Sequence, residues 1–470
     1  MKRMRKILAL ALAALTAAAL CACGGNTASR LEHNVARFYS RDTRESRFTI
    51  DGKLVDGSVR GVAYMETSAR GDTSLAWVDT ALYFVSEKGV DALGTGIGTA
   101  EISFDGQLAL FLEGDELKCY RLEDRSISAL DTGISAVIQF AISPESKSIV
   151  FTAVYGEEET PRAMLYKDGE LTRLFADRSV VVLAVSDDAG LIWYYDSDEA
   201  SFCAQENGET VTVSKDCAAG TNFNFTNDLK EVEYDTADGV NRLFRLASKK
   251  ETELGEGFDI TLKTDVYSIS TVTLFTYIND ADTFTNGLWQ KRVRYDGGAV
   301  YSVGHIDNNG EITWLAENAS KCEAAPDGSR VIWLKGGQLY STDLKGNNTL
   351  LSSDADGFAL TGDGSETYFV SNGVIYYVRG TGKASRFDTD VSEIKMLGNV
   401  CVYLKQDGRL MAAEKGVGKE VMSGAARLDQ RAGQLIVYTD PVEADGEKLY
   451  RAYVTADGRS FGQVGENIRP

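Results

Sequence analysis

The sequence predicts an all-β fold, a β-propeller built of four-stranded antiparallel blades, from three observations. Apolar and aromatic residues occur in short runs that often alternate with polar ones, as in "KSIVFTAVY" (147–155) and "GLIWYYD" (190–196), which indicates strands. Turn sequences such as "KGG" and "SNG" separate these runs, and 46 glycines against five prolines suit many tight turns. Beyond the first 22 residues no apolar repeat of helical period is sustained, so we expect few helices.

A four-residue turn of the type Ser/Thr-x-Asp/Asn-Gly, or a near variant, comes just before a strong strand in each repeat. It occurs as "SFDG" (103–106), "SPES" (143–146), "SDDA" (186–189), "TNDL" (226–229), "APDG" (325–328) and "TGDG" (361–364). A spacing of about 40 residues fits one four-stranded meander per repeat. Because one such sheet cannot bury both faces, we expect the repeats to stack face to face around an axis. A series of β-sandwiches or a β-solenoid is the alternative.

The turns divide the chain into ten segments. These segments are 61–100, 101–137, 138–180, 181–220, 221–260, 261–320, 321–357, 358–394, 395–427 and 428–468. Propellers usually have roughly four to eight blades, so we expect about eight, within a range of seven to ten, with N-terminal strands completing the last blade or with some segments partial. Two propellers in one chain are the alternative. We assign residues 46–470 to the propeller, with an irregular blade or insertion at about 261–320.

The N-terminus predicts export. A basic start, "KRMRK" (2–6), precedes the apolar run "ILALALAALTAAAL" (7–20). This run would span only about 21 Å as a helix, less than the hydrocarbon core of a bilayer. A charged start, a short apolar segment and small residues are typical of a secretory signal.

The residues that follow this run indicate lipidation. The motif "LCAC" (20–23) resembles the bacterial lipobox, with Leu at −3, a small residue at −1 and the acylated cysteine at +1. We therefore expect a signal peptide at 1–22, lipidation of Cys23, and an anchor and linker at 23–45. An ordinary signal peptide, with both cysteines uninvolved, is the alternative. Acyl chains on Cys23 would hold the protein at the extracytoplasmic face of the cell membrane.

Two segments resemble a known family of propeller repeats. "AISPESKSIVFTA…AMLYKDGELTRL" (141–174) and "AAPDGSRVIWLKGGQLYSTDLKGNNTLL" (324–351) are similar to the repeats of the TolB/dipeptidyl-peptidase IV type. With the lipobox, the chain resembles bacterial lipoproteins that carry such a propeller. The resemblance implies the fold over roughly 60–468 and says little about function. The α/β-hydrolase domain of the dipeptidyl peptidases has no counterpart here.

Composition limits the function classes. The formal net charge is −20, which includes the positive charges of the signal segment. Such a chain is repelled by phosphate backbones, so we expect no nucleic-acid partner. Hydrophobic residues make up 43% of the chain and aromatic residues 10%, enough for a packed core. Most of the 69 acidic residues are expected on solvated blade edges, where they discourage pairing with other sheets.

Cysteine and acidic motifs predict neither a metal nor a cofactor. Five cysteines follow the lipobox and lack CxxC spacing: Cys119, Cys203, Cys217, Cys322 and Cys401. We expect buried free thiols, with a Cys203–Cys217 disulfide as the alternative. "DNNGE" (307–311) is interpreted as a hairpin turn and not as a calcium loop, because Gly310 is at its fourth position and not its sixth.

The irregular segment contains the residues most open to a binding role. Residues 268–311 include Trp289, Tyr295, Tyr301 and His305, and loops that interrupt a regular scaffold often carry function. Aromatic packing inside an oversized blade is the alternative interpretation of these four residues.

Two function hypotheses remain. The favoured one is a membrane-anchored, non-catalytic binding or scaffold protein for an envelope protein, peptide or glycan. The other is an extracytoplasmic enzyme that processes carbohydrate or peptide with carboxylates in the propeller channel. The chain has only two histidines, His33 and His305, and no GxSxG motif, so a serine-hydrolase triad is disfavoured.

Overall fold

The computed structural model describes most of the chain from Val35 onward. The described residues are 35–68, 72–157, 160–215, 217, 222–256, 258–259, 266–270, 275–279, 287–295, 298–307, 309, 311–431, 433–444 and 446–470. Every regular element among them is a β-strand. Within these residues no helix has the length and apolar character needed to cross a membrane.

The strands are numbered in chain order. The first sixteen are β1 (Val35–Ser40), β2 (Glu45–Ile50), β3 (Lys53–Leu54), β4 (Val59–Arg60), β5 (Tyr64–Thr67), β6 (Ser74–Val78), β7 (Ala81–Ser86), β8 (Gly89–Gly94), β9 (Ile97–Ile102), β10 (Leu108–Glu113), β11 (Glu116–Arg121), β12 (Ser126–Asp131), β13 (Ile134–Ile142), β14 (Ser148–Tyr155), β15 (Arg162–Lys167) and β16 (Glu170–Leu174). The next fourteen are β17 (Val180–Val185), β18 (Leu191–Asp196), β19 (Ser201–Glu206), β20 (Glu209–Ser214), β21 (Asn222–Phe225), β22 (Glu231–Asp235), β23 (Val240–Arg245), β24 (Lys250–Glu256), β25 (Phe258–Asp259), β26 (Val266–Ser270), β27 (Phe275–Asn279), β28 (Gly287–Tyr295), β29 (Gly298–Ile306) and β30 (Ile312–Ala319). The last sixteen are β31 (Lys321–Ala324), β32 (Arg330–Lys335), β33 (Gln338–Asp343), β34 (Asn348–Ser352), β35 (Gly357–Leu360), β36 (Glu366–Ser371), β37 (Val374–Arg379), β38 (Ser385–Asp388), β39 (Val391–Leu397), β40 (Val400–Lys405), β41 (Leu410–Glu414), β42 (Val417–Met422), β43 (Ala425–Arg431), β44 (Gln434–Ala444), β45 (Glu447–Thr455) and β46 (Gly462–Ile468).

The strands form nine blades and one closing sheet, as expected for a β-propeller. Blades 1 to 5 contain β5–β8, β9–β12, β13–β16, β17–β20 and β21–β24. Blade 6 contains β25 and β28–β30, and blades 7 to 9 contain β31–β34, β35–β38 and β39–β42. The closing sheet joins β43–β46 to β1–β4 from the other end of the chain. The predicted all-β class and four-stranded antiparallel blades are confirmed. The number of blades exceeds the eight we favour and lies within the range of seven to ten.

The repeated Ser/Thr-x-Asp turn connects the first and second strands of a blade. In blade 2 the Ser103 hydroxyl donates to Asp105 Oδ1 at 2.7 Å and accepts the backbone N–H of Leu108 at 3.0 Å. Thr361 makes the same two bonds in blade 8, at 2.8 and 2.9 Å. These bonds satisfy the backbone where the chain reverses, which explains why Ser or Thr and Asp recur at this spacing.

Neighbouring blades pack through apolar faces. Leu108, Leu110 and Cys119 of blade 2 form one cluster with Phe140 and Phe151 of blade 3. Similar clusters contain residues from blades 1 and 2, 3 and 4, 4 and 5, 6 and 7, 7 and 8, and 8 and 9. This packing buries the faces that a single four-stranded sheet would leave in water.

The N-terminal hairpin closes the series of sheets. Phe38 on β1 belongs to one cluster with Tyr438 of the closing sheet, whereas Phe48 on β2 belongs to another with Val85 of blade 1. The Thr49 hydroxyl also donates to Gln434 Oε1 at 2.8 Å. Both ends of the described chain therefore contribute to the same closing sheet, which also packs against blade 9.

The five described cysteines are all free thiols, including Cys203 and Cys217. Burial raises the pKa of Cys119 to about 11 and that of Cys322 to about 12. At neutral pH these thiols are protonated and pack as small apolar side chains. The Cys203–Cys217 disulfide, weighed as an alternative, is not formed.

Candidate functional site

The predicted lipidation site lies outside the described residues. Cys23 falls in residues 1–34, so its acylation, the signal peptide at 1–22 and the linker up to residue 34 stay predictions.

The four residues proposed as a binding surface all lie in blade 6. Trp289 and Tyr295 are on β28, while Tyr301 and His305 are on β29. The register pairs His305 with Leu288 and Tyr301 with Arg292, whereas Trp289 pairs with Gly304. Since paired residues share a face and successive residues alternate, this register assigns Trp289 and Tyr295 to one face and Tyr301 and His305 to the other. The four positions therefore belong to two faces of the same sheet.

Blade 6 also presents an aromatic residue that the sequence analysis did not select. Trp314 on β30 pairs with Gly304 and keeps 39% of its surface exposed. A Cβ atom at position 304 would approach Ile312 Cγ2 to 2.8 Å and Trp314 Cε3 to 3.5 Å. Glycine at 304 thus avoids a collision with the Ile312 side chain, whereas the Trp314 ring would lie at an ordinary contact distance. The sequence signal that could have identified Trp314 is the alternation of polar and apolar residues in "EITWLAEN" (311–318).

The turn at 307–311 connects β29 and β30. Asp307 Oδ1 accepts the backbone N–H groups of Asn309 at 2.8 Å and of Glu311 at 2.9 Å. This carboxylate therefore serves the hairpin turn, in the manner of an Asx turn. Among the described residues no group of three or more histidine, cysteine, aspartate or glutamate side chains is placed to hold a metal ion.

Blade 5 differs from the other blades at one buried position. In blades 2, 3, 4, 7, 8 and 9 and in the closing sheet, the third residue of the second strand is apolar or aromatic and wholly buried, namely Leu110, Val150, Trp193, Ile332, Tyr368, Val402 and Ile436. In blade 5 the same position is Glu233, which is only 2% exposed. A buried carboxylate is costly unless hydrogen bonds compensate for its lost water.

Asparagine side chains provide that compensation. Glu233 Oε1 accepts a hydrogen bond from Asn241 Nδ2 at 2.6 Å, and Glu233 Oε2 accepts one from Asn224 Nδ2. Asp235 Oδ2 accepts one from Asn222 Nδ2 at 2.9 Å, and Asp235 Oδ1 accepts another from Asn241 Nδ2. All four carboxylate oxygens are thus engaged by amide groups. We call these five residues the blade 5 polar cluster.

The cluster has a buried part and a partly open part. Glu233 and Asn241 are buried, whereas Asn222, Asn224 and Asp235 are half-buried. Burial raises the pKa of Asp235, although the Asn222 amide partly opposes this by stabilising the charged form. The two buried residues therefore fix the positions of three side chains that remain accessible.

Strand pairing places the cluster beside an additional hairpin. Asn222 and Asn224 lie on β21, the first strand of blade 5, and β21 pairs in parallel with β27. β26 and β27 form an antiparallel hairpin that enlarges this blade to six strands. On the blade 6 side, the Lys250 ammonium donates to the Asn309 carbonyl oxygen at 3.3 Å. The cluster, the β26–β27 hairpin and blade 6 together form the candidate functional site.

The available chemistry is that of hydrogen bonding. The side-chain amides of Asn222 and Asn224 each give one N–H to a carboxylate, so the side-chain oxygen and the second N–H of each amide are left to receive a ligand. Carboxylate and amide oxygens accept hydrogen bonds from O–H and N–H groups, which glycans and peptides carry. Sequence reasoning missed this cluster, because it assigned acidic residues to solvated edges. The available signal was "EVEYD" (231–235), an acid-alternating strand that directly follows a repeat turn.

Comparisons with known proteins give no family for this chain. No family model matches, and no curated protein sequence matches. Among solved structures, the tricorn protease is 10% identical, with 87% of this chain and 58% of that chain covered and a TM-score of 0.29. TolB from Acinetobacter baumannii is 11% identical, with 55% and 64% covered and a TM-score of 0.30. A eukaryotic initiation factor is 9% identical, with 93% and 98% covered and a TM-score of 0.39.

The matched region spans less than two thirds of the tricorn and TolB chains. At these identities the likeness concerns the fold alone. The chain's own sheets, repeated turns and packed blade faces carry the conclusion that it is a β-propeller.

Proposed function

We propose that this chain is a non-catalytic binding protein on a propeller scaffold, with its ligand site at the blade 5 polar cluster and the adjoining blade 6. Its ligand would be a peptide or glycan of the cell envelope, whose N–H and O–H groups complement the half-buried acceptors of Asn222, Asn224 and Asp235. The observation that carries the proposal is the buried network of Glu233 and Asn241, which holds those three side chains in place.

The physical support for the proposal is a comparison of apolar side chains with a polar network at the same position of a blade. Seven equivalent positions hold apolar or aromatic side chains, which stabilise a blade interface by burial. A satisfied polar network at the same position offers less net stabilisation than an apolar core but fixes side-chain geometry. Supporting residues of this kind are what a binding site needs to keep its contacting groups in one conformation.

The test is retention on glycan and peptide arrays by the protein and two variants. Asn224→Ala combined with Asp235→Ala removes two accessible acceptors of the cluster. Asp238→Asn is the matched control, because Asp238 lies in the same blade, outside the polar cluster, and accepts the Thr236 hydroxyl in the β22–β23 turn. We expect the same ligands to be retained by the wild type and the control and lost by the double variant. Equal retention by all three proteins would contradict the proposal.

Membrane attachment is the second part of the proposal and rests on the lipobox at 20–23. Acyl groups on Cys23 would hold the propeller at the extracytoplasmic face of the cell membrane. Metabolic labelling with an alkyne fatty acid should mark the wild type and leave Cys23→Ala unlabelled. Label that persists in Cys23→Ala would rule out this residue as the lipidation site.

One observation favours the alternative of a carboxylate-based enzyme. The Asn241 amide nitrogen contacts both Glu233 and Asp235, so two carboxyl groups lie side by side, and burial raises the pKa of Asp235. Such a pair is a possible starting point for general acid–base chemistry. Array ligands that the wild type cleaves and Asp235→Asn leaves intact would favour the enzyme. Ligands that both proteins bind and release without cleavage would favour the binding protein.

A further inference from the structure

A cleft lies where the N-terminal hairpin meets the closing sheet, and arginine side chains dominate its polar lining. It has a volume of about 350 Å³ and is lined by Arg37 and Tyr39 of β1, by Arg431 at the end of β43 and by Arg469 after β46. Val35 and Ala36 supply an apolar wall. Three guanidinium groups around one cleft stand out in a chain with a net charge of −20.

Arg37 is the most enclosed of the three. Its Nε donates to the Ser46 hydroxyl at 3.0 Å, and its Nη2 donates to the Val62 carbonyl oxygen at 2.5 Å. Both partners are neutral, and no carboxylate of a described residue lies within ion-pair distance of this guanidinium. Burial lowers the pKa of Arg37, with only a small opposing effect from Tyr39. A partly buried cation fixed by neutral groups leaves its charge available to a ligand.

The other two arginines keep much of their surface exposed. Arg431 Nε pairs with Asp429 at 2.9 Å, and 40% of the Arg431 side chain is exposed. Arg469 Nη1 contacts Glu447 at 3.5 Å, a long ion pair, and 65% of its side chain is exposed. Each contact engages one nitrogen of a group that offers five N–H donors. Pro470 completes the lining of the cleft. The three guanidinium groups therefore keep N–H donors that Asp429 and Glu447 do not engage.

We propose that this cleft is a second ligand site, which binds a small organic anion through a carboxylate or phosphate group. Arg37 supplies the fixed inner donor, and Arg431 and Arg469 close on the anion from the closing sheet. Guanidinium groups bind both anions in paired hydrogen bonds. The cleft volume is at the lower end of the range for small-molecule sites. The net charge of −20 of the whole chain disfavours an extended polyanion.

Binding at this cleft has a consequence for the fold. The three arginines belong to β1, to β43 and to the segment after β46, which come from the two ends of the described chain. An anion held by all three arginines therefore links β1 to β43 and to the segment after β46. Since a ligand that binds only the folded state stabilises it, the anion should raise the temperature of unfolding.

The test uses calorimetric titration and thermal unfolding of the whole protein at low salt, with inorganic phosphate and succinate as separate probes. Saturable binding of phosphate alone identifies a phosphate group as the preferred anion, and binding of succinate alone identifies a carboxylate. Either result, or binding of both, agrees with the proposal if it depends on the cleft. Absence of saturable binding by both probes up to about 10 mM would overturn it.

Arg431→Gln and Arg409→Gln form a matched pair for this test. Arg409 Nε pairs with Asp407 at 2.8 Å with 45% of its side chain exposed, almost the environment of Arg431, but it lies in the turn between β40 and β41. We expect Arg431→Gln to weaken anion binding about tenfold, as for a lost hydrogen bond to a charged group, and Arg409→Gln to leave it unchanged. Equal binding by both variants would overturn the proposal. Arg37→Gln should abolish binding, and Arg431→Gln decides the question if Arg37→Gln does not fold.

Discussion

Blades 2 and 5 use the same strand order and the same kind of turn but bury opposite kinds of side chain at the same position. Leu110 of blade 2 packs with Phe140 and Phe151 of the next blade. Glu233 of blade 5 is equally inaccessible but is held by two asparagines. At this position blade 2 therefore relies on apolar burial, whereas blade 5 depends on a set of directed bonds. The contrast teaches that the same position of the repeat can hold an apolar side chain in most copies and a hydrogen-bonded polar network in one.

The largest loss of stability should follow from removal of apolar packing in blade 2. Leu110→Ala removes a fully buried side chain and leaves a cavity between blades 2 and 3. We expect the free energy of unfolding to fall by about 2–5 kcal/mol. Urea denaturation followed by tryptophan fluorescence measures this change. A loss below 1 kcal/mol, roughly the cost of a surface substitution, would mean that this interface does not carry the stability assigned to it.

The next largest effect should follow from removal of the carboxylate in blade 5. Glu233→Leu installs the kind of side chain that blade 2 uses but strands the amides of Asn224 and Asn241, which then lose a bond each. Because Asn241 keeps its bond to Asp235, we expect a loss of about 1–3 kcal/mol, chiefly from the half-buried Asn224 amide. Glu233→Gln keeps one acceptor oxygen, so its free energy of unfolding should fall less than that of Glu233→Leu. If Glu233→Leu proves as stable as the wild type, the network is not the reason that Glu233 is tolerated.

The repeat turns of the two blades offer a smaller contrast. The fourth turn residue has positive φ in both, +70° at Gly106 of blade 2 and +59° at Leu229 of blade 5. A Cβ atom at position 106 would also collide with the Thr73 hydroxyl. Gly106→Ala should therefore cost at least about 1–2 kcal/mol. Ala189→Gly, at the same turn position of blade 4, relieves a non-glycine residue at φ +56° and should not destabilise the protein. Thermal unfolding of both variants checks that only Gly106→Ala lowers the unfolding temperature.

The smallest expected effects are changes in the free energy of unfolding with pH. These changes should have opposite signs for the carboxylates of Asp457 and Asp235. Burial would raise the pKa of Asp457 in the closing sheet, but backbone N–H groups of Ser460 and Arg459 outweigh it and lower the pKa to about 2. Its stabilising contribution is thus present above about pH 4 and is lost as the pH falls towards about 2. The pKa of Asp235 is raised, so its ionisation destabilises the fold, and acidification through that pKa restores stability.

Unfolding free energies measured from neutral to acid pH separate the two residues. On acidification, the free energy of unfolding of Asp457→Asn should fall less than that of the wild type. The free energy of unfolding of Asp235→Asn should rise less than that of the wild type. We expect each difference to stay below about 1 kcal/mol after solvent screening. The same sign for both variants would contradict the contrast between a turn carboxylate and a carboxylate in the polar cluster.

The repeat was the most predictable part of the fold. The Ser/Thr-x-Asp turn depends on bonds between residues close in sequence, such as Ser103 with Asp105, so its spacing could be found without the structure. Hairpin pairing of successive strands is equally local. The number of blades was harder, because closure depends on contacts between distant residues, such as Thr49 with Gln434.

The arginine cleft could not be located from the sequence for the same reason, and the polar cluster only by comparing "EVEYD" (231–235) with the same position of the other repeats. Glu233 looks like any other acidic residue in a chain with 69 of them, and only its third place in β22 reveals that it is buried. Arg37, Arg431 and Arg469 are far apart in the chain and meet only when the closing sheet forms. Local patterns predict elements, whereas long-range packing determines which polar residues meet.

The central claim is that the polar face of blade 5 is maintained for binding at the expense of stability. Its most direct test is the free energy of unfolding of a variant that combines Glu233→Leu, Asn224→Leu and Asn241→Leu, which replaces the buried network with apolar groups of similar volume. We expect this variant to be at least as stable as the wild type, because the polar groups of that trio are removed together and Asp235, which loses Asn241, keeps its bond from Asn222. A combined variant that is less stable than Glu233→Leu alone would show that the network itself holds blade 5 together, and the claim would fail.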